Sequence, residues 1–273
     1  MSSGNKTVIA FDLYGTLLST ESIAKELATH FGDEKAQSIA ALWRRQVPVG
    51  IYLEDEQHGK TPGLYKPFSE ITNTSLRHAL DELSLSLSDT DISKLMKAYD
   101  SLGTFPDVPP ALKALASSRS IDAYVFSNGT DAMVSSSVNQ SPSLSSHASI
   151  FKGLVTVEEV KAYKPDPKVY THLAEKVGKK AGDMADIWLV SGNPFDVVGA
   201  RAAGMQAAWI DRAGGHHGKG GWTDKLGELA SGGPTVIVKG VDEAVKEIQK
   251  RTKDNGGNSG AGFNNEAAAL GPG

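Results

Sequence analysis

The stretch Phe11-Asp-Leu-Tyr-Gly-Thr-Leu-Leu18 decides how this chain is read. It continues Val8-Ile-Ala-Phe11, a short apolar run that stops at an acidic residue. Short apolar runs bounded by turn residues suit buried strands of a parallel sheet. An acid at the carboxyl end of such a strand stands where open α/β sheets bind their ligands. Gly15 lets the backbone turn sharply and approach a ligand closely. Similar runs recur at 123–126, 187–190, 207–210 and 236–238, with helix-like stretches between them at 110–117, 167–177 and 195–204. This alternation predicts an α/β fold with a mostly parallel sheet.

Residues 19–101 break the alternation. Helix-like patterns at 21–31, 34–46, 69–83 and 88–99 predict a block of helices inserted after the first strand. That places a core at 1–18 and 102–250 and a helical cap at 19–101. Within the cap, 47–66 is rich in Gly, Pro and charge and reads as a long loop or lid element. The serine-rich segment 135–149 reads as an exposed loop, and 251–273, rich in Gly and Asn with an Ala run, as a disordered tail.

A length of 273 residues suits one large domain or a core plus a cap. A formal charge of -4 argues against nucleic acid as a partner, because phosphate binding wants a basic face. Zero cysteines exclude disulfides, thiolate zinc sites and cysteine nucleophiles. The chain has no run of about 18 apolar residues, so no transmembrane helix is expected. The polar start, Met1 to Thr7, lacks the apolar region of a secretory signal, which predicts a soluble cytoplasmic protein. His216-His217 lies in a Gly-rich stretch, 213–221, and reads as part of a flexible loop. Trp43, Trp188, Trp209 and Trp222 read as core or interface residues. There is no Gly-rich loop of P-loop or dinucleotide type.

Three further stretches follow strands or open helices. Phe126-Ser-Asn-Gly129 offers a hydroxyl, an amide and turn N–H groups to an anion. Tyr163-Lys-Pro-Asp166 supplies a lysine just before a helix start. Val190-Ser-Gly-Asn-Pro-Phe-Asp196 brings an acid near a helix N-terminus. Together with the Asp12 stretch, these four resemble, in order, the motifs of the haloacid dehalogenase superfamily. The resemblance covers roughly 7–238. It implies a Rossmann-like core with an inserted cap, and Asp12 as a covalent nucleophile.

Phosphatases of that superfamily carry a second Asp two residues after the nucleophile, to protonate a poor leaving group. Here the position is Tyr14. Their fourth motif also gives an Asp to Mg²⁺, and that position here is Gly192. A halide leaves as a stable anion and needs neither. The pattern resembles the (S)-2-haloacid dehalogenase branch, which implies an enzyme without metal or other cofactor and a small carboxylate substrate. Leu42-Trp-Arg-Arg-Gln46 resembles the branch's cap segment, placing the halide-binding arginine at Arg44, or at Arg45 if the register slips by one. The chain then departs from the branch, which continues with an aromatic-rich segment; Tyr52 or Tyr65 are the candidates to replace it.

The resemblance implies these roles. Asp12 attacks C2 of the acid, Lys164 keeps it ionised, and Arg44 with Asn128 receives the halide. The N–H groups of Leu13 and Tyr14 hold the carboxylate, with Ser127 orienting it or Asp12. Asp196, positioned with Asn193, activates or orients the water that hydrolyses the ester. Ser191 and Tyr170 complete a polar wall. A homodimer formed through the cap is compatible with the resemblance. A Mg²⁺-dependent phosphatase and a non-catalytic protein of the same fold stay open as alternatives.

Overall fold

The computed structural model describes residues 6–60, 65–98, 101–214 and 227–257. Its strands are β1 (Thr7–Phe11), β2 (Ile121–Ser127), β3 (Phe151–Thr156), β4 (Ile187–Ser191), β5 (Gln206–Ile210) and β6 (Val236–Val238). They form one sheet in the order β3-β2-β1-β4-β5-β6, and every neighbouring pair is parallel. From β1 the chain runs outward through β2 to β3, then returns to the other side of β1 at β4. The strand order therefore reverses beside β1, which opens a crevice at its carboxyl end.

Both faces of the sheet are covered. Successive side chains of a strand point to opposite faces. Ile9 and Phe11 of β1 enter one core with α5 (Val108–Ala116) and α10 (Val241–Gly257). Val8 and Ala10 enter the other with α7 (Pro167–Lys176) and α8 (Pro194–Ala202). A strand buried on both faces must be apolar throughout, which is why β1 reads as a continuous run.

Among the described residues, four α-helices lie between β1 and α5: α1 (Glu21–Phe31), α2 (Asp33–Lys60), α3 (Phe68–Glu82) and α4 (Asp89–Ala98). Their apolar stripes meet through Ile23, Leu27, Ile39, Trp43, Leu76, Leu80, Ile92 and Leu95, in a cluster continuous with the core beneath β1. The Trp43 indole N–H donates to the Thr72 carbonyl at 2.8 Å and fixes α2 against α3. Among the described residues no helix is long and apolar enough to cross a membrane.

Several segments differ from the sequence reading. The loop expected at 47–66 is helical as far as residue 60, as the second half of α2. Proline already holds a helical φ, so Pro48 costs one backbone hydrogen bond and some crowding. The helix-favouring Leu, Glu and Gln residues beyond it, together with the packed first half, outweigh that cost. The serine-rich segment is not an exposed loop. It forms most of α6 (Asp131–Gln140), capped by the Thr130 hydroxyl, and a 3-10 turn at Ser145–Ile150. Ser137 and Ser141 are fully buried because each hydroxyl has a partner, Tyr14 Oη at 3.0 Å and the Leu102 carbonyl at 2.7 Å. Strand β3 was not anticipated. Residues 251–257, read as tail, extend α10. A short helix α9 (Gly227–Ser231) precedes β6. His216-His217, Trp222 and 258–273 lie outside the described residues, while Trp43, Trp188 and Trp209 are buried.

Candidate active site

β1, β2 and β4 end side by side, which brings Asp12, Ser127 and Ser191 to one edge of the sheet. The Asp12 N–H donates to the Val190 carbonyl at 3.0 Å, so the carboxylate leaves the strand at a fixed angle. The chain then turns through Gly15, whose φ of 82° suits glycine. The turn returns Thr16 over the carboxylate. The Thr16 hydroxyl donates to Asp12 Oδ2 at 2.7 Å and accepts the Gly192 N–H at 2.8 Å. Asn193, at the start of α8, donates to the same Oδ2 at 2.8 Å.

The other oxygen, Oδ1, accepts from Lys164 Nζ at 3.3 Å. Lys164 is itself buried, and its ammonium also donates to the Phe126 carbonyl and to Asp196 Oδ2, each at 2.8 Å. It sits 4.0 Å from the centre of the Phe126 ring. The Asn128 side-chain carbonyl accepts the Lys164 backbone N–H at 2.9 Å and locks the loop that delivers the lysine. One cation thus stands between two carboxylates, with its three donors matched to three acceptors.

Asp196 is fully buried, and Tyr170 Oη donates to its Oδ1 at 2.9 Å. Burial raises the Asp196 carboxyl above its ordinary value; Lys164 opposes the rise and the nearby Asp12 adds to it. Burial, then the charge of Asp196, pushes the Tyr170 phenol far up, so it keeps its proton and acts as a donor. Tyr170 reaches Asp196 only because Gly199 has no side chain. A Cβ there would lie 2.3 Å from Tyr170 Oη and 2.6 Å from the ring. Gly199→Ala is therefore expected to lower stability by about 1–3 kcal/mol, as overpacked cores do. A thermal unfolding curve unchanged from the parent would contradict this packing.

The Asp12 carboxylate opens into a cavity of about 110 Å³. Its walls are mainly apolar: Ile23, Ala40, Trp43, Val47, Phe68 and Phe195, with the Tyr14 ring stacked on Phe68 at 6.2 Å. Its polar lining includes Asp12, Ser127, Asn128, Lys164, Asn193 and Arg44.

A divalent metal fits this donor set poorly. Mg²⁺ wants several oxygen ligands in near-octahedral array. Here Asp12 Oδ2 is taken by two neutral donors, and an ammonium stands at Oδ1. Position 192 cannot supply a ligand. A Cβ on Gly192 would lie 2.8 Å from the Gly15 carbonyl oxygen. Among the described residues no group of three His, Asp or Glu side chains is arranged to hold a metal ion.

The sequence profile of the haloacid dehalogenase-like hydrolases matches residues 6–204, most of the chain. The chain belongs to this family. Haloacetate dehalogenase H-2 of Moraxella sp. (strain B) is 32% identical over 208 residues, covering 76% of this chain and 86% of that protein. The (S)-2-haloacid dehalogenase of Pseudomonas sp. (strain YL) is 33% identical over 209 residues, covering 76% and 83%. The crystal structure of an L-2-haloacid dehalogenase superposes with a TM-score of 0.77 at 26% identity, covering 89% of this chain and 99% of that one.

Within this haloacid dehalogenase-like frame, the residues expected at the site fall into two groups. Asp12, Tyr14, Arg44, Ser127, Asn128, Lys164 and Asn193 line the cavity. Leu13, Tyr170, Ser191 and Asp196 do not. Asp196, expected to activate or orient the water, stands behind the cavity wall, where Lys164 and Tyr170 occupy its two oxygens. Ser191 and Tyr170 form no part of that wall either; the Ser191 hydroxyl accepts the Asn193 N–H at 3.1 Å. Leu13 is a core residue of the turn. Of the two candidate arginines, Arg44 lines the cavity, and the Arg45 side chain lies outside the described residues. Tyr65 stacks on Tyr163 at 5.3 Å, and the Tyr52 side chain is also outside the described residues.

Sequence reasoning missed Thr16 and Phe68. Thr16 lies within the first motif, and its spacing of four from Asp12 in a tight turn is the signal that marks it. Phe68 opens a helix, and only its position on the cavity side of α3 reveals it.

Proposed function

We propose that this protein hydrolyses short (S)-2-haloalkanoic acids to (R)-2-hydroxy acids through an ester on Asp12. The observation that carries the reading is a carboxylate flanked by a buried lysine at the floor of a small, apolar-walled cavity, with Arg44 at its wall and Tyr14 two residues beyond the carboxylate. The named relatives, haloacetate and (S)-2-haloacid dehalogenases, support it.

Residues 19–101 act as the cap over a core at 1–18 and 102–250. Asp12 Oδ1 attacks C2 from behind the carbon–halogen bond, because Oδ2 already accepts two short hydrogen bonds. An O–C2 bond forms, the halide leaves with the bonding electrons, and C2 inverts. This splits one displacement into two easier steps. Arg44, helped by Asn128, receives the halide. Ser127 and the turn at Tyr14 receive the substrate carboxylate. The apolar walls exclude bulk water, which strengthens every charge inside.

Water then attacks the ester carbonyl and gives up one proton; the acyl–oxygen bond breaks, the departing oxygen of the 2-hydroxy acid takes that proton back, and the water's second proton is released as the Asp12 carboxylate re-forms. With Asp12 neutral as an ester, Lys164 and Asp196 remain as the charged pair beside it. We assign the proton lost by water to Asp196 by way of Lys164 Nζ, the group that touches both sides. Its burial makes Asp196 a stronger base than an exposed carboxylate.

Halide release from each enantiomer of 2-chloropropionate, with and without a chelator, tests the assignment. Release from the (S) enantiomer alone, with inversion and no effect of the chelator, is expected. Release from the (R) enantiomer, or loss of activity when divalent ions are removed, would contradict it.

A further inference from the structure

The turn that carries Asp12 is gripped from outside by a residue the reaction scheme does not use. Arg212 lies two residues beyond β5. Its Nη2 donates to the Thr16 carbonyl at 2.8 Å and its Nη1 to the Gly15 carbonyl at 3.4 Å. The same guanidinium forms a two-point pair with Asp107, Nε to Oδ1 at 2.9 Å and Nη2 to Oδ2 at 2.7 Å. It lies 3.7 Å from the centre of the Phe105 ring. Asp107 Oδ2 also accepts the Val241 N–H at the start of α10, at 2.7 Å. Burial works against the Asp107 charge, but Arg212 and that N–H outweigh it and hold the carboxyl below its ordinary value.

These contacts converge on the two linkers between the core and the helical insertion. Leu18 and Thr104 pair in antiparallel fashion. The Ser19 N–H donates to the Gly103 carbonyl at 2.8 Å, and the Phe105 N–H to the Leu17 carbonyl at 3.2 Å. Arg212 therefore holds the outgoing linker by its carbonyls and the returning linker by Phe105 and Asp107. Its planar fork can serve all of these at once, which a lysine ammonium cannot. Thr16 connects the grip to the chemistry. Its carbonyl is bound by Arg212, and its hydroxyl donates to Asp12 Oδ2.

We infer that Arg212 is a positioning residue for Asp12, acting through Thr16, and that it clamps both linkers to the core. The catalytic half of this inference rests on the assignment of Asp12 as nucleophile. The clamp rests on the linker contacts alone.

The test is a double-mutant cycle with (S)-2-chloropropionate as substrate: Arg212→Met, Thr16→Val and the pair. Arg212→Met should lower kcat about 100-fold, the scale of a small misplacement of reacting groups, with little change in KM. In the Thr16→Val background the same change should cost only a few-fold, because coupled positions are not additive. Equal losses in both backgrounds would overturn the positioning role. Arg212→Lys, which keeps the charge without the fork, should recover part of kcat and guards against a merely unfolded variant. Amide hydrogen exchange across residues 13–19 without substrate reads the clamp independently. It should speed up in Arg212→Met, and unchanged protection would overturn the clamp. If the parent protein released no halide while exchange still depended on Arg212, the assigned reaction would fall and the clamp would stand.

Discussion

Asp12→Asn is expected to reduce halide release by roughly 10⁴-fold or more, the scale seen when a nucleophile is removed. The amide matches the carboxylate in size. Its oxygen can still accept from Thr16 and Asn193 at 2.7 and 2.8 Å. Lys164 keeps Asp196 as its partner at 2.8 Å, so no buried charge is stranded. The fold should therefore survive, while the atom that bonds to C2 loses its charge and most of its nucleophilicity. Initial rates of halide release beside a circular dichroism spectrum check both halves. Near-parental rates in a folded variant would end the covalent scheme.

Lys164→Met should damage activity and stability together. The lysine is the shared partner of Asp12 and Asp196, with side-chain exposures of 1%, 9% and 1%. Removing one member of a buried ion pair typically costs about 3–5 kcal/mol, because the remaining charge is left uncompensated. Losing a preorganised donor at a reacting centre costs about 10²–10³-fold in kcat. The pH dependence has a definite sign. Burial already raises Asp196, and Lys164 is the influence that opposes the rise. Without it, the folded variant holds a proton on Asp196 at pH values where the unfolded chain has released it. Stability then falls as pH rises through that interval. The deficit relative to the parent should be largest near neutral pH and shrink towards acid. Thermal unfolding followed across pH checks this, and a deficit that grew towards acid would show that the charges are arranged otherwise.

The parallel sheet was legible because β1, β2, β4 and β5 are buried on both faces and so read as apolar runs. Asp12, Lys164 and Asp196 were legible because strand ends and helix starts place their motifs and the order of those motifs resembles that of the haloacid dehalogenase superfamily. β3 was not: in Phe-Lys-Gly-Leu-Val-Thr the exposed Lys152 and the glycine break the run. Pro48 and Gly50 look like a helix stop, yet helix packing and the residues beyond carry α2 through them. The hydroxyls of Ser137 and Ser141 are silent until Tyr14 and Leu102 are brought to them by the fold. The same holds for Arg212, which meets Thr16 from 196 residues away. Asp196 shows a further limit: a motif names the residue, but only the packing shows that it stands behind Lys164 and not at the cavity surface.

The most direct test of the account is a single turnover in water enriched in oxygen-18, with enzyme in excess over (S)-2-chloropropionate. The hydroxyl oxygen of the first product should come from Asp12 and carry no label, while mass spectrometry of the peptide containing Asp12 finds one heavy oxygen. Heavy oxygen in the hydroxy acid from that first turnover, with the Asp12 peptide unlabelled, would mean that water attacks C2 directly and that no ester forms.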